Sequence, residues 1–227
     1  MAEAPRSDYD RPMSKIVLHD YFRSSAAYRV RIALNLKGVP YEAAPVDLLE
    51  GEHKEPEYRR LNPQGLVPTL TVDGRPITQS IAIIAWLEGA YPEPRLLPAD
   101  PLDAAHVRAM VLTIACDIHP LNNVRVLKRL AHMEIDQAAR DDWYRHWIEE
   151  GFSALEALAA PSSGKFLFGD SPSMADLCLV PQMFNARRFD VALDPFPTLV
   201  RVDAEACRLE AFAAAHPNRV APQAAGS

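Results

Sequence analysis

Strand signals in this chain end at Thr78, and beyond a proline-rich break only helical periodicity follows. That one-way division admits few folds: the first part must complete its own sheet, and the second must pack as helices alone. Residues 15–19 (KIVLH), β-branched at their centre, predict a first strand. Val30, Ala33, Leu34 and Lys37 keep the spacing of an amphipathic helix over 28–36, which Gly38 ends. Residues 41–46 predict a second strand, and the charged stretch 48–60 (LLEGEHKEPEYRR) a solvated loop or irregular helix. Residues 68–72 and 76–78 read as strands joined by Asp73-Gly74, a strong hairpin turn, and Gln79-Ser80 opens a helix over 81–89. The order βαβ-ββα predicts an α/β domain with a sheet of mixed direction.

Residues 91–101 (YPEPRLLPADP) carry four prolines and mark the boundary. Helical periodicities then run over 103–130, with a helix start near Pro120, and over 140–160, 173–188 and 197–215. The expected division is a disordered lead at 1–13, an α/β domain at 14–92 and a linker at 93–101. An all-helical domain at 102–217 and a frayed tail at 218–227 complete it.

Composition narrows the function classes. A formal charge of −6 argues against nonspecific nucleic-acid binding, which needs a basic surface to displace counterions. Cys116, Cys178 and Cys207 form no CxxC pair and no cluster with histidines, so neither a metal site nor a redox pair is expected. No apolar run is long enough to span a bilayer, and the polar N-terminus has no signal-peptide core, so a cytoplasmic location is the default.

Three features can carry chemistry. Arg23-Ser24-Ser25 precedes the first helix; one serine can cap it, and hydroxyl and amide donors there also suit an anion such as a thiolate. In Asn62-Pro63-Gln64-Gly65-Leu66-Val67-Pro68 the proline directly before a strand is either an ordinary trans edge proline or a cis one. A cis bond would leave the Val67 backbone free to pair with an extended, peptide-like ligand. Gln79-Ser80 is either a helix cap or a carboxylate site at the helix start. Of the other candidates, Arg29 and Arg31 read as structural or solvated charges, and Asn122 or Asn123 as a helix cap. Ser173-x-x-Asp176 has capping-box spacing and a folding role, and Arg187-Arg188 suit a helix C-terminus.

In this order and spacing, YFRSSAAYRVRIALNLKGVPYE, LNPQGLVPTL and DGRPITQSIAIIAWLE resemble the thioredoxin-like domain of the glutathione transferases. With CDIHPLNNVRVLKRL and FGDSPSMADLCLVPQMFNARRFDVALDPFPT, the resemblance is to the zeta class and covers roughly residues 14 to 215. It implies the glutathione transferase fold, reduced glutathione as cofactor, and a homodimer. It also implies a glutathione-dependent maleylacetoacetate isomerase of tyrosine and phenylalanine degradation, acting on a small dicarboxylate. Under it, Ser24 stabilises the thiolate with Ser25 beside it, and Val67 before a cis Pro68 pairs with the cysteinyl backbone. Gln79 and Ser80 take the γ-glutamyl carboxylate, His53 reaches the glycyl end, and His119 and Asn123 line the same cleft. Arg23, Arg125 and Arg188 form a cationic clamp for the substrate carboxylates.

The chain departs from the zeta signature SSC-x-(W/H)-R-V-R-I-A-L in carrying Ala26 for the cysteine and Tyr28 for the aromatic. Chemistry here must therefore run on the sulfur of glutathione, without an enzyme thiol at that point. Maleylpyruvate isomerases of gentisate degradation also lack that cysteine, and some share the H-P-x-N-N pattern of residues 119–123, which makes them the alternative. A glutathione-binding ligand carrier and a generic conjugating transferase are the readings of another class.

Overall fold

The computed structural model describes residues 14–222; the expected lead at 1–13 and the tail beyond 222 lie outside the described residues. Four strands form one sheet in the order β2-β1-β3-β4. β1 (Ile16–Asp20) pairs in parallel with β2 (Glu42–Pro45), antiparallel with β3 (Thr69–Val72), and β3 antiparallel with β4 (Arg75–Thr78). The parallel pair needs a crossover, which α1 (Ser25–Leu36) supplies; the antiparallel pair needs only the Asp73-Gly74 turn, where both residues have positive φ. The charged stretch between β2 and β3 folds as a 3-10 turn (Glu52–Lys54) and a short helix α2 (Pro56–Leu61). α3 (Ser80–Ala90) closes this domain.

The rest is helical: α4 (Pro101–Leu112), α5 (Val124–His132), α6 (Gln137–Ala159), α7 (Met174–Arg188), α8 (Pro197–Ala206), α9 (Glu210–Ala215) and α10 (Pro217–Val220). The architecture is a thioredoxin-like domain followed by an all-helical one.

Two long periodicities break where they were expected to continue. The run 103–130 passes from α4 into a π-helical turn (Thr113–Ile118), and α5 starts only at Val124, four residues after the expected start at Pro120. Asn123 sets that start, its Oδ1 accepting the Arg125 N–H at 3.1 Å. The run 197–215 stops at Ala206 and resumes at Glu210. Part of the expected frayed tail is ordered: Pro217 begins one helical turn, and the His216 ring accepts the Asn218 N–H at 3.2 Å.

One core runs through both domains. Leu18 and Leu70 from the sheet, Ile83, Ile84 and Leu87 from α3, and Phe152 and Phe212 from the helical part are all fully buried. α1 is the shared element, packing on α3 in its own domain and on α7 and α9 in the other. Its Arg31 ties them: the guanidinium pairs with Asp20 at 2.6 Å and donates to the carbonyls of Phe22 and Ala215. Neither arginine of α1 is solvated, because Arg29 and Arg31 are each 1% exposed.

Candidate active site

Three turns from the first domain and one from the second meet at a cleft of about 240 Å³. At the first, Ser24 is the N-cap of α1, with extended φ and ψ, its Oγ accepting the Ala27 N–H at 3.2 Å. Its neighbour Ser25, expected as an auxiliary hydroxyl, is instead buried at the domain seam, accepting from Asn185 Nδ2 of α7 at 2.7 Å. Two adjacent residues at a helix start point apart by about 100°, so one hydroxyl caps while the next meets the neighbouring helix. Arg23 is exposed and lies over the Phe22 ring, 5.1 Å from its centroid. Ala26 and Arg29 line the cleft; Arg23, Ser24 and Ser25 stand outside its lining.

The second turn is the loop before β3. The Val67–Pro68 peptide is cis. The loop is held from below: Tyr58 Oη and Asn62 Nδ2 both donate to the Leu66 carbonyl at 2.7 Å. Gly65 has φ +61° and no room for a side chain, since a Cβ would stand 2.8 Å from the His53 carbonyl. Among the described residues neither backbone group of Val67 has a hydrogen-bond partner, and Val67 and Pro68 line the cleft. His53 meets this loop through its backbone at Gly65 and stands outside the lining; among the described residues its buried Nδ1 has no partner, and burial lowers its pKa, with nearby cations adding to the effect.

The third turn starts α3. Gln79 holds φ +70°, a costly conformation for a residue with a Cβ and one that clusters at ligand clamps. Its Nε2 donates to Gln64 Oε1 at 2.7 Å, tying the second and third turns together. Ser80 is buried, and the first amides of α3 have no partner within the helix.

The helical domain contributes residues 119–123, the break after the π-helical turn. Gly151 of α6 lets that turn approach, because a Cβ there would stand 2.3 Å from Ile118 Cγ1. Trp143 Nε1 donates to the Leu121 carbonyl at 3.0 Å and Asn122 Nδ2 to the Tyr144 carbonyl at 3.1 Å, fixing the break against α6. His119, Asn123 and Arg125 thereby reach the cleft. His119 lies deep in the seam yet opens on the cleft; burial, then the charges of Arg29 and Arg125, push its pKa down to about 3, so it is neutral at physiological pH. Arg188 stands outside the lining, its guanidinium 5.9 and 5.8 Å from the ring centroids of Phe184 and Phe189.

The structure therefore gathers Val67, Pro68, Gln79, Ser80, His119, Asn123 and Arg125 at one cleft. It adds Arg29 and Cys116, which sequence reasoning did not place there. The available signal for Arg29 was its position among apolar residues in the middle of α1, where a solvated charge does not belong. Among the described residues no carboxylate lines the cleft, although the chain carries a net charge of −6. Such a cleft offers amides, hydroxyls and guanidinium groups to an anionic ligand of peptide-like shape.

The comparisons agree with this geometry. Residues 23–90 match the glutathione S-transferase N-terminal domain and residues 137–218 its C-terminal domain. The maleylacetoacetate isomerase of Rhizobium meliloti (strain 1021) is 50% identical over 211 residues, 92% of this chain and 99% of that protein. The holo structure of a maleylpyruvate isomerase, a bacterial glutathione S-transferase in the zeta class, superposes with a TM-score of 0.89 at 47% identity, over 92% of this chain and 100% of that one. A maleylacetoacetate isomerase from Anaeromyxobacter dehalogenans 2CP-1, solved with dicarboxyethyl glutathione and citrate in its active site, gives a TM-score of 0.82 at 42% identity, covering 92% and 99%. A thioredoxin-like domain, an all-helical domain and an anion-receptive cleft between them thus accompany close likeness along nearly the whole length: this chain belongs to the zeta class of the glutathione S-transferases, the family of the maleylacetoacetate and maleylpyruvate isomerases.

Proposed function

We propose that this enzyme is a glutathione-dependent cis-trans isomerase that converts maleylacetoacetate to fumarylacetoacetate. The observation that carries the reading is the charge of the cleft: Arg29 and Arg125 line it, a neutral His119 feels both charges, and among the described residues no carboxylate in the lining opposes them. A dianionic diacid suits such a site in an otherwise acidic protein. The residues also fit glutathione, a tripeptide with a thiol and two carboxylates. Val67 offers an unpaired backbone N–H and C=O, and Gln79, Ser80 and the free amides of α3 offer donors for a carboxylate.

The chemistry glutathione supplies when bound is reversible addition of its thiolate to the carbon–carbon double bond, which becomes single, rotates and re-forms. In this reading the Ser24 hydroxyl and the first amides of α1 hold the sulfur as thiolate. Ser25 acts at one remove, keeping α1 in register with α7 through Asn185. Arg125, with Arg23 and Arg188, clamps the diacid, and His119 and Asn123 meet glutathione from the helical side of the cleft. His53 supports the loop that meets the glycyl end. The same reading carries a place in tyrosine and phenylalanine degradation, a cytoplasmic location and a homodimer.

Maleylpyruvate is the second reading, favoured by Ala26 on the cleft wall, where the zeta signature has a cysteine. An isomerase assay on both maleyl substrates, with and without glutathione, tests the proposal. Turnover of maleylacetoacetate that requires glutathione and consumes none is the expected result. Faster turnover of maleylpyruvate selects the second reading, net consumption of glutathione indicates a conjugating transferase, and glutathione binding without turnover of either substrate indicates a ligand carrier.

A further inference from the structure

Among the described residues the other buried cations are paired. Arg31 meets Asp20 at 2.6 Å, and Lys37, with no exposed side-chain surface, meets Glu88 at 2.8 Å. Arg29 is as deeply buried, at 1% exposure, yet among the described residues no carboxylate reaches it. Its Nε and Nη2 are enclosed and have no partner, and Nη1 has one contact, the Ser80 hydroxyl at 3.4 Å. An unpaired guanidinium taken out of water is costly, so its natural complement is an anion that arrives with a ligand. Nε and Nη2 are enclosed, so the group acts outward through Nη1, which reaches the hydroxyl of Ser80, the first residue of α3. A hydroxyl that accepts from a guanidinium must donate its own proton elsewhere. Ser80 lines the cleft at the start of α3, an eleven-residue helix, beside the amides left free there.

We propose that Arg29 is a positioning residue that sets Ser80 as a donor and gives the α3 anion site its charge, so that the site selects a ligand bearing a carboxylate at its γ-glutamyl end. The proposal rests on the reading that Ser80 receives that carboxylate. Arg29 acts through Ser80 and through its field; it takes no part in the addition and elimination at the double bond. Its removal therefore weakens recognition of one carboxylate and leaves contacts with the cysteinyl backbone at Val67 as they are.

Calorimetric titration of glutathione and of 4-aminobutanoyl-Cys-Gly, which lacks only the γ-glutamyl α-carboxylate, reads this directly. The wild type is expected to prefer glutathione, and Arg29→Met to lose roughly tenfold or more of that preference, the usual scale of a hydrogen bond to a charged group. The loss falls on glutathione alone, with the affinity for the shortened peptide unchanged. Arg29→Lys keeps the charge but not the planar fork, so its preference falls between the two, and it carries the test should Arg29→Met fail to fold. A variant that weakens both peptides by the same factor, or neither, overturns the role of Arg29. A wild type that binds both peptides equally overturns instead the carboxylate reading at Ser80, and the inference with it. In the Ser80→Ala background, Arg29→Lys is expected to cost almost nothing further; an additive loss overturns the action through the hydroxyl.

Discussion

Ser24 has one hydroxyl and two possible tasks. In the structure it caps α1, and in the proposed reaction it also faces a thiolate. Ser24→Ala is expected to abolish most isomerase activity while costing about 1 kcal/mol of stability, the worth of a cap. Steady-state rates and a urea titration on the same protein separate the two effects, and wild-type activity would remove Ser24 as thiol activator. Arg125 is exposed on the cleft wall, so its loss leaves the fold alone. Arg125→Ala is expected to raise KM for the diacid more than KM for glutathione; equal shifts would refute the clamp. Ser24 was legible in the sequence because a cap is a local device, set by the residue and the helix that follows it. Ser25 was not, because its partner Asn185 is 160 positions away and only packing brings it near.

At the level of elements, the tight turns and the locally capped helix starts were readable, and the interruptions within long helical runs were not. Asp73-Gly74, the Ser173–Asp176 box and the start of α3 follow from backbone rules that act within a few residues. The break at 119–123 does not: Gly151 and Trp143 of α6 receive it, and a periodicity carries no sign of a neighbour. The box is more than a local cap. Asp176 is fully enclosed, accepting from the backbone N–H of Ser173 and Leu167 and from the Ser173 hydroxyl. Burial outweighs these bonds and lifts its pKa to about 6 from 3.8. The native state thus holds this proton more tightly than the unfolded chain. The resulting stability is complete below about pH 4 and is lost as the pH rises through about 6. Asp176→Asn, which cannot titrate and sets an amide against backbone donors, is expected to be less stable at every pH. Its deficit should widen by about 2 kcal/mol as the pH falls from 7 to 4. Denaturant unfolding at the two pH values checks both statements, and a constant deficit would contradict them.

For the molecule as a whole, α1 is the shared element, because α3 of its own domain and α7 and α9 of the other all pack on it. Arg31 gathers Asp20 and Phe22 from one domain and Ala215 from the other into one buried network. Arg31→Ala leaves the Asp20 carboxylate buried without a partner and is expected to cost about 3–5 kcal/mol. Urea unfolding followed by tryptophan fluorescence should show one transition at a lower midpoint with an unchanged slope. Two separated transitions would show that the domains are not joined through this residue.

The residue order alone determined the division into a mixed α/β unit and a helical one, the hairpin, the capped helix starts and the candidate turns around Ser24, Val67 and Ser80. Each depends on forces that act along a few residues of chain. What tertiary structure decided is clearest at Arg29 and Arg31, two positions apart and alike in sequence. Two residues of helix turn the side chain by about 200°, so the two arginines leave α1 on opposite faces. One meets Asp20 and becomes structural; the other meets the Ser80 hydroxyl and no carboxylate, and becomes part of the cleft. Which carboxylate lies opposite a buried charge is set by packing across the whole chain, and no local pattern records it.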